Sequence, residues 1–225
     1  MSGVDPTILQ QLPRIVQEAA QLKVLSLQDI DGVVPGSVFE TLVVKSPNFR
    51  HLTLHSCDFN GTAVSNCLNS FATGSARSSS LEILDIYPIK GYTNDAVLES
   101  CARIKSLTRL SIFHRRASQT AVESFARDVA RLSHLEELKI HNLPMTEKDI
   151  QIIGENSSIT NVYLGLSRGI TREHARSAFS AGVEVRFGDA FDYSDSDSDS
   201  DYIEVEDDPD DPDDADDADD RYWGI

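Results

Sequence analysis

Cysteine is scarce. The 225 residues hold three, Cys57, Cys67 and Cys101, and none forms a Cys-x-x-Cys pair. An odd number without close spacing argues against a disulfide framework, and the expectation is buried, reduced thiols in the cytosol or nucleus. Long apolar runs are missing as well. The longest are a few residues, where a membrane span needs about 20. The N-terminal stretch from Met1 to Pro6 has neither the basic region nor the apolar run of a secretory signal. No membrane partner is expected. Also absent are the phosphate-cradling GxxxxGKS/T loop, a GxGxxG turn after a strand, the HExxH metal helix and the GxSxG nucleophile turn. The six histidines are scattered, and none sits at a metal-ligand spacing with cysteine. From these absences the chain is expected to be no enzyme, with no catalytic residues, no metal and no cofactor.

Basic residues run short at one end only. Of the 37 acidic residues, 18 lie from Asp189 onward, and Arg221 is the single basic residue there. The preceding residues hold 19 of each sign, so the formal net charge of −17 belongs wholly to the C-terminal run. A neutral body with an acidic end lacks the surplus of lysine and arginine that phosphates require, and no nucleic-acid partner is expected.

What the body does have is a repeat. The pattern apolar-x-x-apolar-x-apolar occurs as LKVLSL from Leu22, FRHLTL from Phe49, LEILDI from Leu81, LTRLSI from Leu107, LEELKI from Leu135 and ITNVYL from Ile159. Val183 to Phe187 makes a weaker seventh copy. The six starts are 27, 32, 26, 28 and 24 residues apart. Each copy ends in the alternation of a strand with one buried face. Between copies the apolar spacing turns helical, in Val38/Phe39/Leu42/Val43, Val64/Cys67/Leu68/Phe71, Val97/Leu98/Cys101/Ile104, Val122/Phe125/Val129/Leu132 and Ile150/Ile153. Ile8, Leu9, Leu12, Ile15 and Val16 predict a leading helix. Ser37-x-x-Glu40, Thr120-x-x-Glu123 and Thr146-x-x-Asp149 predict capping boxes at helix starts. No such strand-helix unit can bury its own apolar face, so the units must stack.

This recurrence resembles leucine-rich repeats of the longer, helix-containing kind, found in ribonuclease inhibitor and in the substrate-binding part of F-box proteins. The resemblance covers roughly residues 8–187. It implies an α/β leucine-rich-repeat solenoid with a parallel concave sheet of six to seven strands and outer helices. Residues 1–21 would form a leading capping helix, 22–188 the solenoid and 189–225 a disordered acidic tail. The family's asparagine or cysteine, eight residues after the first leucine, appears only as Cys57. The other copies carry Ile30, Ile89, Arg115, Leu143 and Ser167. Cys57 therefore reads as an inward structural thiol, although His55 lies close enough in sequence to suggest a thiol–imidazole pair. The 21 residues before Leu22 leave no room for an F-box, so an intact F-box adaptor is not expected. A truncated F-box-type substrate receptor stays open as an alternative. A repeat body with an acidic tail also resembles, in layout, the acidic leucine-rich nuclear phosphoproteins and the Ran GTPase-activating proteins, which leaves a GTPase-activating-type regulator as a further alternative.

In such a strand the third, fifth and seventh positions face the concave side. They supply His55, Asp85, Tyr87, Arg109, Phe113, Lys139, His141 and Tyr163, a row of rings with charges beside it, the composition that interfaces enrich. The same rings could merely pack on one another across the strands. Six strands about 4.8 Å apart span roughly 24 Å, so this face alone covers a few hundred Å², less than the roughly 800 Å² per partner of a stable interface. Loops or tail must contribute to tight binding.

The tail from Asp189 is too polar to bury a core. Ser194, Ser196 and Ser198 each have an aspartate three residues later, the pattern of acidophilic kinases, and Ser200 completes the run. Tyr202-Ile203-Glu204-Val205 resembles a SUMO-interacting strand, and the Trp223-x-Ile225 end fits strand addition to a PDZ-type edge. The expectation from sequence is a cytoplasmic or nuclear, non-catalytic protein-interaction scaffold. Its partner is a protein of unknown identity, and its tail confers solubility or engages basic proteins.

Overall fold

The computed structural model describes residues 6–19, 21–76, 80–88, 95–114, 116–165 and 170–188. The chain divides into two units, Met1–Asp192 and Tyr193–Ile225. The second unit, with Ser194, Ser196, Ser198 and Ser200, lies outside the described residues, as does the rest of the acidic run from Asp189.

Among the described residues, seven helices and seven strands alternate. They are α1 (Pro6–Glu18), β1 (Val24–Val34), α2 (Gly36–Lys45), β2 (His51–Phe59), α3 (Gly61–Thr73), β3 (Ile83–Pro88) and α4 (Asp95–Cys101), then β4 (Arg109–Phe113), α5 (Gln119–Val129), β5 (Glu137–His141), α6 (Glu147–Gly154), β6 (Asn161–Gly165), α7 (Arg172–Ala178) and β7 (Glu184–Gly188). All seven strands form one parallel sheet, and their order in space is their order in the chain. Each helix packs against the next one in sequence. The fold is thus α/β, with each parallel crossover made by one helix.

The register explains the repeat. Leu25, Leu52, Leu84, Leu110, Leu138, Val162 and Val185 stand side by side across the sheet, and so do Leu27, Leu54, Ile86, Ile112, Ile140, Leu164 and Phe187. These two columns, except for half-buried Val185 and Phe187 on the last strand, sit in one core with the helix residues Phe39, Leu68, Leu98, Phe125 and Ile150. Burial of one such leucine is worth about 1.5–3 kcal/mol, and a parallel sheet needs that cover on its apolar face. Just before each strand the bond pattern also repeats. One carbonyl accepts two successive N–H groups of the following unit: Arg50 O from Glu82 and Ile83, Glu82 O from Thr108 and Arg109, Thr108 O from Glu136 and Glu137, and Glu136 O from Thr160 and Asn161.

The ends of the elements depart from the sequence expectation in identifiable ways. The capping box at Thr146 is present, with the Thr146 hydroxyl accepting from Asp149 N–H and the Asp149 carboxylate accepting from Thr146 N–H. The box expected at Ser37 is not formed. Pro35, at φ −59° and ψ 134°, precedes the helix, which begins at Gly36, so Ser37 already lies in the first turn. The box expected at Thr120 is likewise displaced, because Ser118 caps α5 by accepting from Ala121 N–H, and Thr120 is helical. Leu9 and Val16 of α1 are buried as expected, but Ile15 is exposed.

A left-handed residue recurs along the sheet. Asp29, Ser56 and Asn142, each two residues after the inward Leu27, Leu54 or Ile140, adopt the left-handed region at φ 51°, 48° and 55°. Short polar side chains tolerate that region best. The next residue drops back inside: Ile30, Cys57 and Leu143 are all buried. Apolar side chains thus anchor the residue after each left-handed position, and the Cys57 thiol lies 3.9 Å from the Leu27 carbonyl.

The ring row on the open face

The sheet face opposite the core carries the eight residues expected to contact a partner, His55, Asp85, Tyr87, Arg109, Phe113, Lys139, His141 and Tyr163. His55 pairs in register with Tyr87, Phe113 with His141, and His141 with Gly165. Asp85, Ser111, Lys139 and Tyr163 form the column beside them. The rings touch as a continuous row, with centroids 5.3 Å apart for His55–Tyr87, 6.4 Å for Tyr87–Phe113, 5.3 Å for Tyr87–His141 and 4.9 Å for His141–Tyr163. All are tilted, within the range where ring pairs attract.

One of these residues is not placed as the sequence reading has it. His141 was expected to be presented to a partner, but it is only 8% exposed, wedged between Tyr87 and Tyr163. Tyr87 reaches across β4, where Ser111 is small and buried, and so closes over His141. Burial, helped by the charge of Lys139, pushes the His141 imidazole down to about 4. Burial pushes the Tyr87 phenol up to about 12, against a hydrogen bond with Ser111. Tyr87, Phe113 and Tyr163 remain half-exposed. The rings pack on one another, and three of them still reach solvent.

Two glycines that the sequence reading did not single out make this packing possible. A Cβ on Gly165 would stand 2.5 Å from His141 Nδ1, and one on Gly188 would stand 1.4 Å from the Tyr163 hydroxyl. Their signal was available: a glycine at the last outward position of two successive strands is what a ring lying flat on the sheet requires.

The charges are paired both across and within strands. Arg109 Nε donates to Glu137 at 2.6 Å and Lys139 Nζ lies 2.7 Å from the other oxygen of the same carboxylate. Burial alone would raise the Glu137 carboxyl, but hydrogen bonds and charge from Lys139 and Arg109 hold it below the usual range. Glu137 was not among the candidates, although it occupies the outward position between two that were. At the other end, Thr53 donates to Asp85 at 3.2 Å and His51 Nε2 lies 3.5 Å from the same carboxylate.

The three cysteines are buried and free. Burial pushes the Cys57 and Cys67 thiols up to about 12 and raises Cys101 further, so none has the thiolate character of a nucleophile. Among the described residues, no group of three histidine, cysteine, aspartate or glutamate side chains converges on one point. Among the same residues, no helix is long and apolar enough to cross a membrane. What the arrangement offers is an aromatic surface flanked by partnered charges. No protein-family model matches the chain, and no curated protein matches its sequence.

Proposed function

We propose that the chain is a leucine-rich-repeat solenoid acting as a non-catalytic protein-interaction scaffold. Its sheet face, concave in that reading, contacts a protein partner through Tyr87, Phe113 and Tyr163, with Asp85, Arg109 and Lys139 orienting it. The observation that carries the proposal is the unbroken ring row on the sheet face that, among the described residues, no helix covers. Half-exposed rings held by neighbours lose little freedom on binding, which is the property of interface anchors. The acidic run from Asp189 is a second contact, for basic proteins. It supplies the area that the face alone lacks.

Quantitative affinity capture tests this. Full-length protein and its Phe113→Ala/Tyr163→Ala variant are compared, with cooperative unfolding checked for both. Retention of a specific protein by the wild type and its loss from the folded variant is expected. Equal recovery by both proteins would remove the ring row from the interface.

A further inference from the structure

The last helix and the last strand bring three arginines to one edge of the sheet. Arg172 and Arg176 lie one turn apart on α7, and Arg186 lies on β7. Together with Tyr163, Val185, Phe187 and Gly188 they line a single open depression. Arg172 Cζ stands 5.9 Å above the centre of the Phe187 ring. Arg186 is engaged by Glu184, its Nε donating at 2.8 Å. Among the described residues, Arg172 and Arg176 have no carboxylate partner, and both are exposed. By contrast, Arg50 and Arg109 along the sheet are each paired with a carboxylate, Glu82 and Glu137. Two exposed guanidinium groups one helical turn apart, beside a third and an aromatic ring, form an anion-seeking surface.

The backbone adds a second requirement. Among the described residues β7 pairs only with β6. Glu184 N–H donates to Thr160 on the β6 side, and alternate residues of a strand turn their backbone groups to opposite sides. Val185 and Phe187 therefore direct N–H and C=O groups outward. Only another peptide backbone matches such an edge along its length, which favours a peptide over a nucleic acid or an anionic lipid.

We propose that the β7 edge is a docking site for an extended acidic peptide of a partner protein. The peptide adds as a further strand, with acidic side chains at alternate positions meeting Arg172 and Arg176. This goes beyond the ring-row reading and stands or falls apart from it, because neither arginine belongs to that row. The chain's own aspartates at 195, 197, 199 and 201 are of the same chemical class, so the test separates the two sources.

Full-length protein is titrated, at low ionic strength, into a fluorescein-labelled peptide of aspartates alternating with valines. Arms include Arg172→Glu/Arg176→Glu, a full-length variant with Asp195, Asp197, Asp199 and Asp201 changed to Asn, a peptide N-methylated on alternate amides, and a single-stranded oligonucleotide of equal charge. The expected result is binding that weakens by about tenfold or more in the charge-reversed variant and with the N-methylated peptide. Equal binding by the charge-reversed variant, or by the N-methylated peptide, would overturn the proposal. Preference for the oligonucleotide would reassign the edge to nucleic acid. Binding seen only in the Asp→Asn variant would reassign it to the chain's own acidic run. No binding in either protein would also overturn it.

Discussion

His141 is the residue whose environment has the clearest measurable consequence. An imidazole held at about 4 in the folded protein is neutral there, while in the unfolded chain it takes up a proton near 6.5. The depressed folded value means that this residue's contribution is intact above about pH 6.5 and lost as pH falls toward 4. Burial lowers His114 in the same direction, against the raising effect of Asp95. Denaturant unfolding at pH 7 and pH 5 should show a loss of stability whose full extent for His141 is on the order of 3 kcal/mol by pH 4. His141→Gln should flatten that slope, and an unchanged slope in the variant would place the titration elsewhere. The neighbouring rings separate packing from binding. Leu110, wholly buried on the opposite face of β4, should cost about 2–5 kcal/mol on change to alanine. Tyr87→Ala removes three ring contacts and uncovers His141, and should cost about 1–2 kcal/mol. Thermal unfolding of the two variants gives the comparison, and an equal cost for both would mean that Tyr87 is core.

At the scale of the elements, the alternation of strand and helix was legible because apolar period changes in every unit from two to between three and four. Leu84 and Ile86, Leu110 and Ile112, and Leu138 and Ile140 all fall on the buried face, as the motif implied. The helix α7 was not anticipated, because its seven residues bury only Ala175 and show no apolar stripe. Its one local signal is Thr171, whose hydroxyl accepts from His174 N–H. Strand length was also underestimated for β1 and β2, which continue past the left-handed Asp29 and Ser56 to Val34 and Phe59. The depth of burial of His141 on the open face is not legible in the sequence, since a two-sided pattern cannot reveal that tyrosines of other strands lean over it. Asn156 was missed for a related reason: its role depends on a turn in another unit. It is buried, donates to the Val129 and Leu132 carbonyls at 2.8 and 3.0 Å, and accepts from Ser158 N–H. Asn156→Ala leaves these groups without partners and should cost about 1–3 kcal/mol in chemical unfolding. A cost near zero would show that water replaces the amide.

For the whole molecule, charge and surface are divided between regions of the chain. Before Asp189 the two signs balance, and after it acid outnumbers base 18 to one. A core histone should bind the full-length protein, with affinity falling steeply between low and physiological salt as the Debye length shrinks from about 30 Å to about 8 Å. Phosphorylation of the serines between 194 and 200 should strengthen it. Salt-independent binding, measured by titration at several ionic strengths, would leave the acidic run as a solubilising extension. The contact surface on the sheet is tested most directly by side-chain oxidation footprinting of the full-length protein, alone and saturated with the partner recovered by capture. The account predicts that oxidation of Tyr87, Phe113 and Tyr163 falls several-fold on binding while Ile15 and Val44, exposed on α1 and α2, are unaffected. Protection of Ile15 and Val44 with the three rings unchanged would contradict it.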